Sequence, residues 1–186
     1  MMKQRYVFSL IIALTLHMLI VGCNNGAKQK ILQDTLYSFE SSTIEFPDHF
    51  LKIEGTSYSF TQEDMSLPTL VYYHSSEKCT DCAINHLLEI KPMFQMADEC
   101  HRFQVMIIFS PKPDNISYVI DKLSRRQFDF PVFVDIENSL VEAAIPDDPR
   151  FHTFLLYDQH PVMVGNPLSS EGLMDLFKKA LLTTNH

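Results

Sequence analysis

Two cysteines that could do chemistry, Cys79 and Cys82, lie three positions apart within the stretch HSSEKCTDCAINHLLEI. Residues at this spacing share one face of a helix, so their sulfurs can form a disulfide or bind one metal ion. Three possibilities are therefore open for the pair: thiol-disulfide exchange, metal binding, or a structural disulfide.

A metal site would need further ligands close to the cysteines. His74 and His86 could complete a tetrahedral site with the pair. Zinc sites usually present a second pair of ligands at a recognisable spacing, and no such pair follows in this sequence. A structural disulfide is also disfavoured, because closing so short a loop constrains little of the unfolded chain. We therefore predict a redox-active pair that needs no metal and no other cofactor.

The cysteine pair lies where a predicted strand gives way to a predicted helix. Thr69–Tyr73 is a continuous β-favouring run introduced by Pro68, which is typical of a strand covered on both faces. After Cys82 the apolar residues recur at helical intervals. Pro92 removes a backbone donor from this helix, so we expect a kink or a break there. These intervals are set by Ile84, Leu87, Leu88, Phe94 and Ala97.

Strands and helices continue to alternate along the chain. Gln104–Phe109 and Phe130–Asp135 predict two further buried strands. Between them, an apolar periodicity after Asp114, a plausible N-cap, predicts an amphipathic helix. After the second of these strands, Ser139–Ala144 predicts a short helical piece. Such alternation indicates a parallel α/β core with right-handed crossovers.

Segments on either side of this core predict antiparallel additions. Short alternating pieces between Ile44 and Leu67 predict short strands and turns. Thr153–Tyr157 and Val162–Val164 predict a hairpin, and Leu173–Leu181 predicts a closing helix.

The N-terminal residues have the pattern of a secretory signal. Lys3 and Arg5 precede an apolar run from Tyr6 to Val21. This run is too short for a membrane span of about 20 residues and has the length of a signal-peptide core.

The end of that run, LIVGC, resembles the lipobox of bacterial lipoproteins, in which the signal is cut before a cysteine that then carries lipid. This resemblance implies a signal peptide at 1–22 and a lipid anchor and tether at 23–43, with Cys23 as the lipidated residue. A folded domain is then expected at 44–186.

Composition excludes several classes of protein. The 186 residues are 46% apolar, which is sufficient for a proper core. The formal charge of −8 comes without a basic run, so nucleic acid is not expected as a partner. With Cys23 assigned to lipid, three cysteines remain, too few for a multi-disulfide scaffold. Of these, Cys100 is interpreted as a buried apolar filler.

A strand, a C-x-x-C pair at a helix start, two βα units, a hairpin and a final helix together resemble the thioredoxin fold. The resemblance covers Ile44–Asn185 and implies a three-layer α/β/α domain with a central mixed sheet. The chain looks most like the membrane-tethered thiol-disulfide oxidoreductases of bacterial envelopes, particularly Bacteroidetes-type lipoproteins. Those lipoproteins contain segments that are similar to HTFLLYDQHPVMVGNP of this chain.

Within the pair, we predict that Cys79 is the exposed nucleophile and that Cys82, more buried, resolves the mixed disulfide. Cys79 is expected where backbone amides at the helix start favour a thiolate. Lys78 adds to this stabilisation and Asp81 opposes it, and Thr80 completes the supporting residues of the motif.

The sequence departs from the thioredoxin pattern in three ways. The aromatic residue that usually precedes the first cysteine is Lys78 here. The buried acid that thioredoxin carries on the strand before the motif falls at Tyr73, and the cis-proline that faces the cysteines aligns with His152. A histidine there could orient a peptide or tune Cys79. A loop histidine without a role in the site is the alternative.

Together these residues predict a lipid-anchored, periplasm-facing oxidoreductase of the cell envelope that reduces protein disulfides. Its expected partners are disulfide-containing envelope proteins, an upstream thiol electron donor, and the membrane through Cys23. The Asp81 charge between the cysteines favours the reducing direction. The alternative is a non-catalytic thioredoxin-like binding module of an envelope assembly, which the missing cis-proline favours.

Overall fold

A computed structural model describes residues 26–62, 64–75, 79–141, 145–165, 175 and 178–180. The predicted signal peptide and Cys23 lie outside these residues. The chain divides into two compact units, the first ending at Ser38 and the second beginning at Phe39. In the predicted tether, 26–40 form helix α1, which is mostly exposed up to Ser38. No helix within the described residues combines the length and apolar character that crossing a membrane requires.

The second unit is built on a mixed sheet of seven strands, with the order β2-β1-β5-β4-β3-β6-β7. Its strands are β1 (Phe50–Glu54), β2 (Ser57–Thr61), β3 (Thr69–Ser75), β4 (Gln104–Ser110), β5 (Val132–Val134), β6 (Thr153–Tyr157) and β7 (His160–Gly165). Strands β3, β4 and β5 are parallel neighbours, and the remaining pairings are antiparallel. The predicted parallel core with a C-terminal hairpin is therefore confirmed.

The helices between the parallel strands are α2 (Thr80–His86), α3 (Lys91–Cys100) and α4 (Ile116–Arg126). The chain steps from β3 to β4 to β5 in one direction across the sheet. Right-handed crossovers that step in the same direction place their helices on the same face. Apolar side chains of all three helices accordingly share one core cluster with β3, β4 and β5.

Local sequence chemistry explains where these helices break and begin. Pro92 lies in the first turn of α3, and a 3₁₀ turn at Leu87–Glu89 separates α3 from α2, so the predicted break is confirmed. The predicted N-cap at Asp114 is wrong. A 3₁₀ turn at Pro113–Asn115 includes this residue and α4 follows it directly.

Three further boundaries differ from the sequence predictions. The third core strand is shorter than Phe130–Asp135 and covers only Val132–Val134. Ser139–Val141 is a 3₁₀ turn, and 142–144 lie outside the described residues. Residues 44–46 form no strand.

The parallel strands of the sheet are buried on both faces: successive residues alternate between the faces, and nearly every residue of β3, β4 and β5 is buried. One face carries the cluster shared with α2, α3 and α4. The opposite face is rich in phenylalanine, and Phe39 packs edge-on against Phe151 and Phe154 with ring centroids 5.8 and 5.2 Å apart. This second set of buried residues includes Ile44, Phe50, Val71, Met106, Ile108, Phe133 and Leu156.

The C-terminal hairpin has the turn chemistry that its sequence requires. Asp158 and Gln159 have φ values of 49° and 65°, and two consecutive positive φ values are the mark of the tight turns that match strand twist. Strands β6 and β7 flank this turn, as predicted. At the predicted closing helix, Asp175 and Lys178–Ala180 are helical.

Candidate functional site

The cysteine pair lies at the carboxyl end of the parallel strands. Strand β3 ends at Ser75, and Cys79 is the N-cap of α2 with extended backbone angles (φ −61°, ψ 98°). Its sulfur accepts a hydrogen bond from the backbone N–H of Cys82, with Sγ and N 3.3 Å apart. The first turn of α2 therefore supplies an amide donor to the first cysteine. Lys78 lies outside the described residues.

Both cysteines are free thiols and both side chains are exposed. The sequence predicted a more buried Cys82, whereas the structure leaves each sulfur accessible. The thiol of Cys82 and then its backbone N–H donate hydrogen bonds that lower the pKa of Cys79. The same contact raises the pKa of Cys82, because its proton is held by the Cys79 sulfur. Cys79 is accordingly the residue that loses its proton first.

Asp81 lies between the cysteines, but its carboxylate is bound by helix α4. The Tyr118 hydroxyl donates to Asp81 Oδ2 at 2.7 Å, and Lys122 Nζ lies 3.2 Å from Oδ1. These two partners, Tyr118 first, hold the pKa of Asp81 below its usual value. Sequence reasoning gave Asp81 a role and missed both partners. Their i, i+4 spacing, which puts Tyr118 and Lys122 on one helix face, was the available signal. Thr80 is half-buried beside Asp81.

Polar residues end each of the three parallel strands. Ser75 and Ser110 are neighbours in the β3–β4 register, and Asp135 directly follows β5. The Ser110 hydroxyl donates to Asp135 Oδ2 at 3.0 Å. Asp135 also accepts the backbone N–H groups of Ser139 and Leu140, at 3.1 and 2.9 Å. All three polar side chains are buried, and the hydrogen bonds of Ser110 and Asp135 hold the sheet edge from which the cysteine segment departs.

His152 is buried at the start of β6, next to the strand that leads to the cysteines. Its carbonyl accepts the N–H of Tyr73 at 2.7 Å, and its ring meets the Tyr73 ring edge-on at 5.4 Å. His152 Nε2 lies 3.2 Å from the carbonyl oxygen of Pro146. No peptide bond among the described residues is cis, so His152 does not reproduce the geometry of the proline it aligns with.

The candidate metal ligands do not come together in the part of the chain that the structure describes. No group of three or more His, Cys, Asp or Glu side chains there has a metal-binding arrangement. The ring of His74 lies against Phe109, with centroids 5.0 Å apart. His86 Nδ1 lies 2.7 Å from Glu89 Oε1. Cys100 is half-buried against the core cluster, which fits its interpretation as a filler.

No protein-family model matches this sequence, and the comparison with curated proteins also gives no match. Solved structures do resemble it. An uncharacterized thioredoxin-like protein from Porphyromonas gingivalis has a TM-score of 0.50 and 15% identity, covering 78% of this chain and 97% of its own. The chain has a thioredoxin-like fold. At this identity the likeness concerns the fold of this thioredoxin-like chain and not its activity.

Two other structures are similar to this thioredoxin-like chain at lower scores. A cysteine-to-serine mutant of PrxQ from Xylella fastidiosa has a TM-score of 0.49 and 16% identity, covering 74% of this chain and 94% of its own. A Chlorobium tepidum protein assigned as the thiol:disulfide interchange protein DsbE has a TM-score of 0.43 and 15% identity, covering 76% and 98%.

Proposed function

We propose that this thioredoxin-like chain is a thiol-disulfide oxidoreductase that reduces protein disulfides through Cys79 and Cys82. The observation that carries the proposal is the exposed Cys79 sulfur at the start of α2, which accepts the N–H of Cys82. A thiolate is the reactive form of cysteine, and this contact together with the Cys82 thiol stabilises it. A structural disulfide would need neither the accessibility nor the lowered pKa of Cys79.

In the proposed reaction, the Cys79 thiolate attacks one sulfur of a substrate disulfide. The substrate S–S bond breaks, a mixed disulfide forms, and the other substrate sulfur leaves as a thiolate that takes up a proton. Cys82 then loses its proton and attacks Cys79, which releases the second substrate thiol and leaves a Cys79–Cys82 disulfide. Two electrons pass to the substrate, and a dithiol donor must return them to the pair.

We propose the reducing direction, which one contribution supports: the Asp81 charge between the cysteines raises the pKa of Cys79 and so disfavours the thiolate form of the pair. The hydrogen bonds from Cys82 are larger than this contribution, and the pKa of Cys79 is lowered on balance. The midpoint potential against glutathione tests the direction. A value near −270 mV is typical of thioredoxin, whereas a value near −120 mV is typical of a strong oxidant.

A trapping experiment tests the oxidoreductase itself. The Cys82→Ser variant keeps the Cys79 nucleophile but cannot resolve mixed disulfides, so we expect it to accumulate covalent complexes that dithiothreitol releases. Cys100→Ser is the matched control, because it also removes one sulfur and should trap nothing. Absence of complexes in cells that express Cys82→Ser would overturn the proposal.

We further propose that the protein is anchored in the cell envelope by lipid on Cys23 and faces the periplasm. The lipobox-like sequence supports this, as does the basic and then apolar pattern before it. The envelope is also the compartment in which protein disulfides persist as substrates. Labelling with a radioactive fatty acid should mark the wild-type chain and not Cys23→Ala. Equal labelling of both would contradict the anchor.

A non-catalytic binding module is the second candidate, and one observation favours it. The residue aligned with the family's cis-proline is His152, and its peptide bond is trans. A binding module would keep its partner interactions in a Cys79→Ser, Cys82→Ser double variant and would not reduce insulin. Insulin reduction by the wild type and its loss in the double variant would exclude this candidate.

A further inference from the structure

Helix α4 binds both carboxylate oxygens of Asp81, the acid that lies between the two cysteines. Tyr118 binds Oδ2 and Lys122 binds Oδ1, and the Lys122 ammonium also lies 5.2 Å from the centroid of the Tyr118 ring. The three side chains therefore form a closed cluster, in which each one contacts the other two. We call Tyr118, Lys122 and Asp81 the Asp81 clamp.

The clamp matters because Asp81 is the second residue of α2. A carboxylate in the first turn of a helix is attracted to the backbone N–H groups there. The Cys79 sulfur uses one of these groups, the N–H of Cys82. An Asp81 side chain that was not held elsewhere could compete for the same donors and bring its charge closer to the sulfur.

We propose that Tyr118 and Lys122 are positioning residues that keep the Asp81 carboxylate on helix α4 and leave the start of α2 to the Cys79 sulfur. Around Asp81, the titratable and charged groups are Cys79 and Cys82 on α2, and Tyr118, Lys122 and Arg126 on α4. This proposal rests on the proposed function in one respect, because it treats the Cys79 thiolate as the reactive form of the pair.

A substitution that changes no charge separates positioning from simple charge balance. Tyr118→Phe removes one hydroxyl and leaves Lys122 and Asp81 charged. If the clamp positions Asp81, this variant must raise the pKa of Cys79. In an Asp81→Asn background the carboxylate is gone, so the same Tyr118→Phe change must have no effect on Cys79. A purely structural role of Tyr118 would act in both backgrounds.

The measurement is the rate of Cys79 alkylation by iodoacetamide as a function of pH in the reduced protein, with peptide mass spectrometry to distinguish the cysteines. Because Asp81 and Lys122 are about half exposed, we expect Tyr118→Phe to slow alkylation at pH 7 by roughly two- to fivefold. Lys122→Met should slow it in the same direction. The effect of Lys122→Met should shrink in 1 M salt, where the screening length is about 3 Å.

Tyr58→Phe is the matched control, since the Tyr58 hydroxyl also bonds a side chain of α4, that of Ser124, but does not contact Asp81. It should leave the pH profile of Cys79 unchanged. The proposal is overturned if Tyr118→Phe behaves like Tyr58→Phe, or if its effect persists in the Asp81→Asn background. These results do not depend on substrate turnover. A failed trapping experiment would therefore refute the proposed function without changing what these variants show about the clamp.

Discussion

Asp135 is the buried acid at the carboxyl edge of the sheet, and its replacement by alanine is a sharp test of how that edge is held. The side chain is fully buried and accepts three hydrogen bonds, from the Ser110 hydroxyl and from the N–H groups of Ser139 and Leu140. Asp135→Ala removes the acceptor and leaves all three donors in place. The protein should therefore lose more stability than the lost packing of one side chain alone would explain.

The size of the effect follows from the number of donors. Hydrogen bonds to a charged group contribute about 1.5–3 kcal/mol each, so three would set an upper range of roughly 4.5–9 kcal/mol. The contributions are not additive, because a water molecule can enter the space that the carboxylate leaves. We therefore expect Asp135→Ala to lower the free energy of unfolding by about 3–5 kcal/mol. For a domain of this size that corresponds to a fall in Tm of roughly 6–20 °C.

Equilibrium urea unfolding, followed by circular dichroism with dithiothreitol present, measures this directly. Ser110→Ala is the graded control, because it removes one donor and leaves Asp135 with two others. We expect that variant to lose only about 1.5 kcal/mol, the lower end of the range for one such hydrogen bond. If Asp135→Ala were no less stable than Ser110→Ala, the carboxylate would not hold this edge, and the argument from its three contacts would be wrong.

Three further predictions concern the cysteine pair, the clamp and the core. Cys82→Ala should raise the pKa of Cys79, because it removes the thiol hydrogen bond that lowers this pKa most; the midpoint of the alkylation pH profile checks it. The pKa of Asp81 is depressed in the folded protein, so its stabilising contribution is present above the unfolded pKa and is lost as the pH falls through the folded one. The free energy of unfolding, measured from pH 6 down to strongly acidic pH, should therefore fall less in Lys122→Met than in the wild type. Phe39→Ala should lower the free energy of unfolding by about 3–5 kcal/mol, as urea denaturation can measure, because this ring is 1% exposed.

The strands next to the cysteines could be predicted because their sequences leave few alternatives. Thr69–Tyr73 and Gln104–Phe109 are unbroken β-favouring runs, and both are buried strands in the structure. Pro92 breaks the following helix because it lacks a backbone donor. Phe39 was assigned to the predicted tether at 23–43, because the sequence there is mostly polar and only weakly periodic. Its burial depends on rings that are far away in the sequence.

The part of the site that sequence reasoning missed is tertiary. Asp81 was interpreted as a free charge beside a thiolate, which is all that its neighbours in the sequence can indicate. Its partners lie 37 and 41 positions further along, on a helix whose place depends on the crossover direction. Asp135 was assigned to the end of a strand, and its hydrogen bonds became visible only with the chain path beyond β5.

Parallel strands explain why the clamp can exist. Strands β3 and β4 end at the same edge of the sheet, so the helices that follow them both begin near that edge. Both crossovers step in one direction, which puts α2 and α4 on the same face. Asp81 in the first turn of α2 therefore meets Tyr118 and Lys122 in the first two turns of α4. In a fold of this kind, residues that control a C-x-x-C pair are to be sought at the start of the next crossover helix, and not only within the motif.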